Sequence, residues 1–279
     1  LSVDYLVLEM GMNHSGEIRD LVNIADPDFS VITNIGSAHI GNFKSKEDLA
    51  KAKLEIFEHS KGVAVANTDH PEILKWVEKN EKLKKIKKYS LKCAAEIKKD
   101  VENVEGFTME NLYTAFQTVV CAVGEKPDVK KAFEVLQLPG MRGETVNIGK
   151  RIFVVDCYNA NPESMKSSID SFYRKYSTVE GLEIYLVLGS MFELGDFSKK
   201  MHEELVNYIK KLNLLKRVFL TGIEFEKLSD QILNEKKSFF LGEIEEIVDE
   251  IPESGVFLLK GSRGNKLERL LKLISLKEE

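Results

Sequence analysis

Val154-Val155-Asp156-Cys157-Tyr158-Asn159-Ala160-Asn161-Pro162-Glu163-Ser164 reads as an apolar strand, a polar loop and the first turn of a helix. Asn161 is a good N-cap, and Pro162 suits a first helical position, where no N–H is needed. A strand that passes through a short loop into a helix is half of a parallel crossover. Capping accounts for Asn161. It leaves Asp156, Tyr158 and Asn159 crowded at the carboxyl end of a strand, a place suited to ribose hydroxyls and a purine face.

The same unit recurs in both directions. Apolar runs at Tyr5–Glu9, Phe29–Ile35, Val63–Ala66, Ile152–Asp156, Ile184–Gly189, Arg217–Thr221 and Val256–Lys260 alternate with amphipathic stretches of helical length. Strands apolar on both faces and joined through helices predict an α/β fold with a mostly parallel sheet covered on both sides. Breakers cluster at Leu138-Pro139-Gly140-Met141-Arg142-Gly143, between a helix-like Val129–Leu136 and a hairpin-like Val146–Ile152. The expected domains are therefore 1–140 and 141–279, each large enough for its own core. The lysine-rich run Lys82–Lys88 reads as a solvated helix end and connector.

Composition narrows the function. Forty Lys and Arg against 45 Asp and Glu give a net charge of -5, which lowers the case for general nucleic-acid binding. Three cysteines without a CxxC fit a reducing compartment, and no apolar run approaches the roughly 20 residues of a membrane span. A cytoplasmic protein is expected. The chain opens on Leu1 with no signal-peptide pattern and reads as lacking its first portion.

Three further clusters carry possible chemistry. Glu9-Met10-Gly11-Met12-Asn13-His14-Ser15-Gly16-Glu17 follows the first run, and its Gly11 to Gly16 spacing imitates a phosphate-binding loop. Glu17 and Ile18 stand where that loop needs Lys and Ser or Thr, so it is not one. Glu9 is either a solvated terminal carboxylate or a metal ligand. His39, after Thr33-Asn34-Ile35-Gly36-Ser37-Ala38, is either a hydrogen-bonded loop residue or a partner for Glu9, because parallel strands bring their carboxyl ends to one edge. At 100° per residue Leu49, Ala50, Leu54, Ile56 and Phe57 share one arc; Lys53 falls inside it, Lys51 and Glu55 outside. Lys53 is then a lysine snorkelling at the core edge, or a desolvated amine with lowered pKa open to modification. Lys260-Gly261-Ser262-Arg263-Gly264-Asn265-Lys266 joins the last strand to the last helix; it is an anion site or a plain turn.

These segments, Glu9–Ile18, Ile32–His39, Ala50–Phe57, Asp156–Met165, Val187–Gly195 and Lys260–Gly264, resemble the Mur ligases of peptidoglycan synthesis in family order. The string Tyr158-Asn-Ala-Asn-Pro162 is most similar to the branch that adds D-alanyl-D-alanine. The resemblance implies an incomplete central ATPase-type domain and a Rossmann-like C-terminal ligase domain. It implies ATP-dependent ligation of UDP-N-acetylmuramoyl-tripeptide with D-alanyl-D-alanine through an acyl phosphate, by a monomer. It assigns Mg2+ to Glu9, His39 and a carbamylated Lys53, and nucleotide to Asn111, Arg142, Asp156, Tyr158, Asn159 and Asn161. Substrate falls to Asn13, His14, Lys260, Ser262 and Arg263. The family's N-terminal domain and Gly-Lys-Thr loop are not among these residues, and Gly106–Asn111 departs from the family's Gly-x-His-Asn; weak ATP binding and no turnover are expected of this chain alone. The competing expectations are a non-catalytic nucleotide- or partner-binding module and another ligase of the Mur and folylpolyglutamate group. A nicotinamide oxidoreductase is disfavoured because no Gly-x-Gly-x-x-Gly follows the first strand.

Overall fold

Three parallel strands, Phe29–Val31 (β1), Val63–Asn67 (β2) and Ile86–Tyr89 (β3), form the first sheet in the order β1-β2-β3. The computed structural model describes residues 3–82, 84–95, 97, 109–135, 140–233 and 239–278. The chain divides into two compact units, Leu1–Ile35 with Asn42–Leu136, and Gly36–Gly41 with Gln137–Glu279. The first unit carries helices Glu17–Ala25 (α1), Lys46–His59 (α2), Pro71–Asn80 (α3), Met109–Val123 (α4) and Val129–Val135 (α5). The two-residue period of β2 sends Ala64 and Ala66 to a cluster with Phe57, Ile73 and Trp76, and Val65 to another with Tyr89, Tyr113 and Phe116. Both faces of the sheet are covered, as expected for parallel strands.

Two expectations about strands fail here. Tyr5–Glu9 forms no strand: Tyr5, Leu6, Val7 and Leu8 are exposed and irregular, because an apolar run becomes a strand only where a neighbour's N–H and C=O groups pair with it. The lysine run, read as helix end and connector, runs into β3 at Ile86. Ile86 and Tyr89 pack inward while Lys87 and Lys88 stand in water, the usual protection of an edge strand. The strand expected over Phe29–Ile35 is shorter, since only Phe29–Val31 pairs with Val63–Val65. Gly106, Phe107 and Thr108 of the departing motif, and Leu138 and Pro139 of the breaker cluster, lie outside the described residues.

The second unit holds six strands in the order β4-β5-β9-β6-β7-β8. They are Glu144–Ile148 (β4), Lys150–Asp156 (β5), Ile184–Gly189 (β6), Leu215–Thr221 (β7), Phe239–Leu241 (β8) and Ser254–Lys260 (β9). β4 and β5 form the antiparallel hairpin expected from sequence, turning at Gly149 with φ 56°; the other pairs are parallel. Helices Pro162–Tyr176 (α6), Ser198–Ile209 (α7), Ile223–Glu226 (α8), Ser229–Leu233 (α9), Ile244–Glu250 (α10) and Arg269–Glu278 (α11) complete it. Phe153, Val155, Tyr185, Val187, Phe257 and Leu259 point to one face and pack on Ile247 and Val248 of α10 and Leu270 and Ile274 of α11. Each such side chain contributes about 1.5–3 kcal/mol on burial. The register sets Asp156 beside Lys260, and Leu188 on the other side of it, so the loops after β5, β6 and β9 meet at one carboxyl edge.

Candidate nucleotide and ligation site

Lys260 is the centre of that edge in the second unit. It is 3% exposed, and its Nζ lies 3.1 Å from Asp156 Oδ2 and donates to Asn159 O at 2.8 Å. Ser168 Oγ of α6 also donates to Asp156 Oδ2. Both contacts fall on Oδ2, so Oδ1 is the oxygen that a ligand hydroxyl would meet. Ser262, also buried, donates to Ala160 O at 3.3 Å and accepts from Phe192 N at 2.9 Å. Lys260 and Ser262 thus tie loops together from inside. Arg263 is exposed, pairs with Glu268 at 3.0 Å and lies 2.7 Å from Met141 Sδ.

Asn161 performs its expected capping role: Oδ1 accepts from Ser164 N at 2.8 Å, and Ser164 Oγ accepts from Asn161 N at 3.0 Å. Asn159 Oδ1 accepts from Ala160 N at 2.8 Å, which curls the loop and leaves Tyr158 and Asn159 exposed. The Arg142 guanidinium sits 4.4 Å from the Tyr158 ring centroid, a cation–π stack that presents a flat, cationic shelf.

Asn265 was missed by sequence reading, although it clamps the loop after β6. Its Nδ2 donates to Ser190 O and to Ser262 O, both at 2.8 Å, and its Oδ1 accepts from Ser190 N at 3.1 Å. Next along that loop, Met191 N donates to Nε2 of the fully buried His202 at 3.0 Å. Nδ1 therefore carries the proton and donates to Ser198 O at 2.8 Å. Burial pushes His202 below the usual histidine value, against the Ser198 bond, which raises it. Neutral His202 is part of the fold. Above about pH 6.5 it is neutral folded or unfolded; as pH falls below that, the unfolded chain takes up a proton that the folded unit refuses, and stability drops. Denaturant titrations at pH 8 and pH 5.5 should show this loss, and His202→Gln should be less stable at pH 8 yet lose less on acidification.

His39 belongs to the Gly36–Gly41 segment, which packs with the second unit. Its Nδ1 lies 2.7 Å from Glu193 Oε2, within ion-pair range but not aligned for a hydrogen bond. Both residues have φ 63°, a left-handed backbone uncommon outside glycine. Gly41 N donates to Glu193 O at 2.9 Å, and a Cβ on Gly41 would stand 2.5 Å from Gly195 N.

In the first unit, Glu9 is exposed on the irregular opening segment. Asn13 and His14, also exposed, donate their backbone N–H groups to Glu17 Oε2 at 2.7 and 3.1 Å, which holds the Glu17 carboxyl below its usual range. Lys53 is half-buried, whereas Lys51 is exposed and pairs with Asp48 at 3.2 Å. Glu55 of α2, outside the apolar arc, reaches α1: it accepts from Gly16 N at 2.8 Å and Arg19 N at 3.2 Å, capping a helix whose N-cap glycine has no side chain. Asn111 is exposed on the first turn of α4, beside Glu110, whose carboxylate meets His70 at 2.5 Å. Among the described residues no three His, Cys, Asp or Glu side chains gather into a metal site.

The Mur ligase middle domain is matched over residues 1–125, and the Mur ligase, glutamate ligase domain over residues 141–263. The chain is 30% identical to the UDP-N-acetylmuramoyl-tripeptide–D-alanyl-D-alanine ligase of Rickettsia prowazekii over 96% of its length, and 31% identical to that of Bacillus subtilis over 97%. It spans 66% and 64% of those two proteins. The MurF ligase of Thermotoga maritima in complex with ADP superimposes with a TM-score of 0.72 at 26% identity, over 99% of this chain and 69% of that one. With both domains matched in order and the fold shared, the chain belongs to the Mur ligase family.

Proposed function

We propose that the protein carrying this chain joins D-alanyl-D-alanine to UDP-N-acetylmuramoyl-tripeptide in peptidoglycan precursor synthesis, at the expense of ATP. The observation that carries the reading is the likeness to ligases of that name along almost the whole chain, with the loops after β5, β6 and β9 laced into one edge. A tripeptide carboxylate oxygen attacks the γ-phosphorus and ADP leaves; the dipeptide amine then attacks the acyl carbonyl, loses a proton and expels phosphate. Asp156 Oδ1 accepts from a ribose hydroxyl, the Arg142–Tyr158 shelf meets the purine, and Asn159 and the Nδ2 of Asn161 supply further polar contacts; Asn111 of the first unit is assigned to the nucleotide by the family likeness alone. The exposed Arg263 meets a carboxylate, Lys260 and Ser262 keep that loop in place, and Asn13 and His14 face the peptide. A cytoplasmic location follows from this reading, and no helix of the described residues is long and apolar enough to cross a membrane.

Magnesium would take a mixed donor set. No cluster of three ordinary ligands exists among the described residues; the family likeness is what assigns Glu9, His39 and a carbamylated Lys53 to magnesium, and the half-buried place of Lys53 on the apolar arc of α2 suits that modification. Bound magnesium would neutralise charge on the phosphoryl oxygens.

The test is a ligation assay on the protein encoded by the whole gene, with ATP, magnesium and both substrates, product identified by mass. Ligated pentapeptide and phosphate are expected in equal amounts, both dependent on the dipeptide. ATP binding without either product would favour the non-catalytic reading instead.

A further inference from the structure

The Gly36–Gly41 segment is fixed at both ends to the second unit. At one end Ser37, 1% exposed, meets Glu163 as a fork: Ser37 N donates to Oε2 at 3.0 Å and Ser37 Oγ donates to Oε1 at 2.8 Å. At the other, Ile40 is fully buried and Gly41 sits on the backbone of Glu193–Gly195. His39 lies between these anchors in a left-handed conformation that an unsupported histidine would leave. Glu163 stands in the first turn of α6, directly after Asn161 and Pro162, so the same turn that ends the Tyr158–Asn161 loop holds the His39 segment.

We propose that Glu163 is a positioning residue: its carboxylate fixes the Gly36–Gly41 segment, and with it His39, to the helix turn that closes the nucleotide loop. Two donors converge on two oxygens of one anion, an arrangement that sets direction as well as distance. A nucleotide that orders Tyr158–Asn161 then also steadies His39, and the reverse holds by reciprocity. The catalytic consequence rests on the ligase reading above; the anchoring does not.

Two measurements on the full-length protein separate these. In the first, hydrogen exchange at Ser37–Gly41 is followed in the wild type, Glu163→Gln, Ser37→Ala and the double variant. Glutamine takes the charge out of the fork, with its NH2 left to donate to the Ser37 hydroxyl, so exchange in the segment should rise about 5-fold while β5 and β9 stay protected. The double variant should raise exchange by less than the product of the two singles, because both changes act on the same fork. In the second, ligation by Glu163→Gln should show kcat lowered about 10-fold with a smaller change in KM for ATP, since only the geometry of the reacting groups is disturbed. Unchanged exchange in both single variants, or additive effects in the double, overturns the anchoring. Faster exchange with unchanged kcat overturns the positioning role. A wild type that ligates nothing counts against the ligase reading, and the exchange arm still decides the anchor. Should Glu163→Gln loosen β5 and β9 as well, Ser37→Ala carries the same comparison without touching α6.

Discussion

Replacing Lys260 by alanine is expected to destabilise the second unit by about 3 kcal/mol, the low end for breaking a buried ion pair. The ammonium is sealed at the middle strand of the sheet and holds Asp156 Oδ2 and Asn159 O together. Its loss leaves a carboxylate with Ser168 as its remaining donor on that oxygen, and a carbonyl with none from Lys260. Asp156 is 23% exposed, so water recovers part of the cost. Lys260→Met, which keeps most of the buried stem, should lose less than Lys260→Ala, and adding Asp156→Asn to Lys260→Met should recover stability because no unpaired charge remains. Urea titration measures all of these. A loss below about 1 kcal/mol in Lys260→Ala would mean that the lysine is held for substrate rather than for the fold.

The second large effect belongs to Lys53 and follows from the proposed function. Lys53→Ala should lower ligation about 10²- to 10³-fold, the scale seen when a preorganised group that steadies transition-state charge is removed. Carbamylation adds CO2 to the neutral amine with release of a proton, turning a cation into an anion. High bicarbonate should not rescue the alanine variant, because no amine remains, whereas acetate should restore part of the rate by filling the vacated space. Intact-mass analysis of gently handled wild type should show one added CO2 that is missing from the variant. Lys51→Ala, on the solvated side of α2 beside Asp48, should be nearly silent in rate and within about 0.5 kcal/mol in stability. An essential Lys51 with a dispensable Lys53 would refute the assignment.

How far the sequence led depended on where each residue's partner lies. β2, β5, β6, β7 and β9 were legible because strands covered on both faces must be apolar throughout, and the Asn161 cap because its partner Ser164 is three residues away. β3 was hidden because an edge strand carries lysines to repel other chains, so its solubility looked like a connector. Tyr5–Leu8 erred the other way: a strand-like composition does not supply a neighbour. The Ser37–Glu163 fork, the His202 bond to Met191, the Asn265 clamp and the Glu55 cap on α1 join residues that only the fold brings together. The inward position of Lys260 was unreadable for the same reason. A lysine beside two glycines suggests an anion from outside until Asp156 is found in register beside it.

β9 lies between β5 and β6 in the sheet, yet it follows β4, β5, β6, β7 and β8 in the chain. A nascent chain that has already made β4 through β8 therefore has two halves of a sheet with no common neighbour, each offering an apolar strand edge to any other chain in reach. The sheet can close only after Ser254–Lys260 leaves the ribosome, so the long-range pairing that defines this unit waits until its other five strands have been made. Cells making this protein quickly would then depend on chaperones that shield those edges, and a premature stop ahead of Ser254 would yield an aggregating product rather than a smaller working domain.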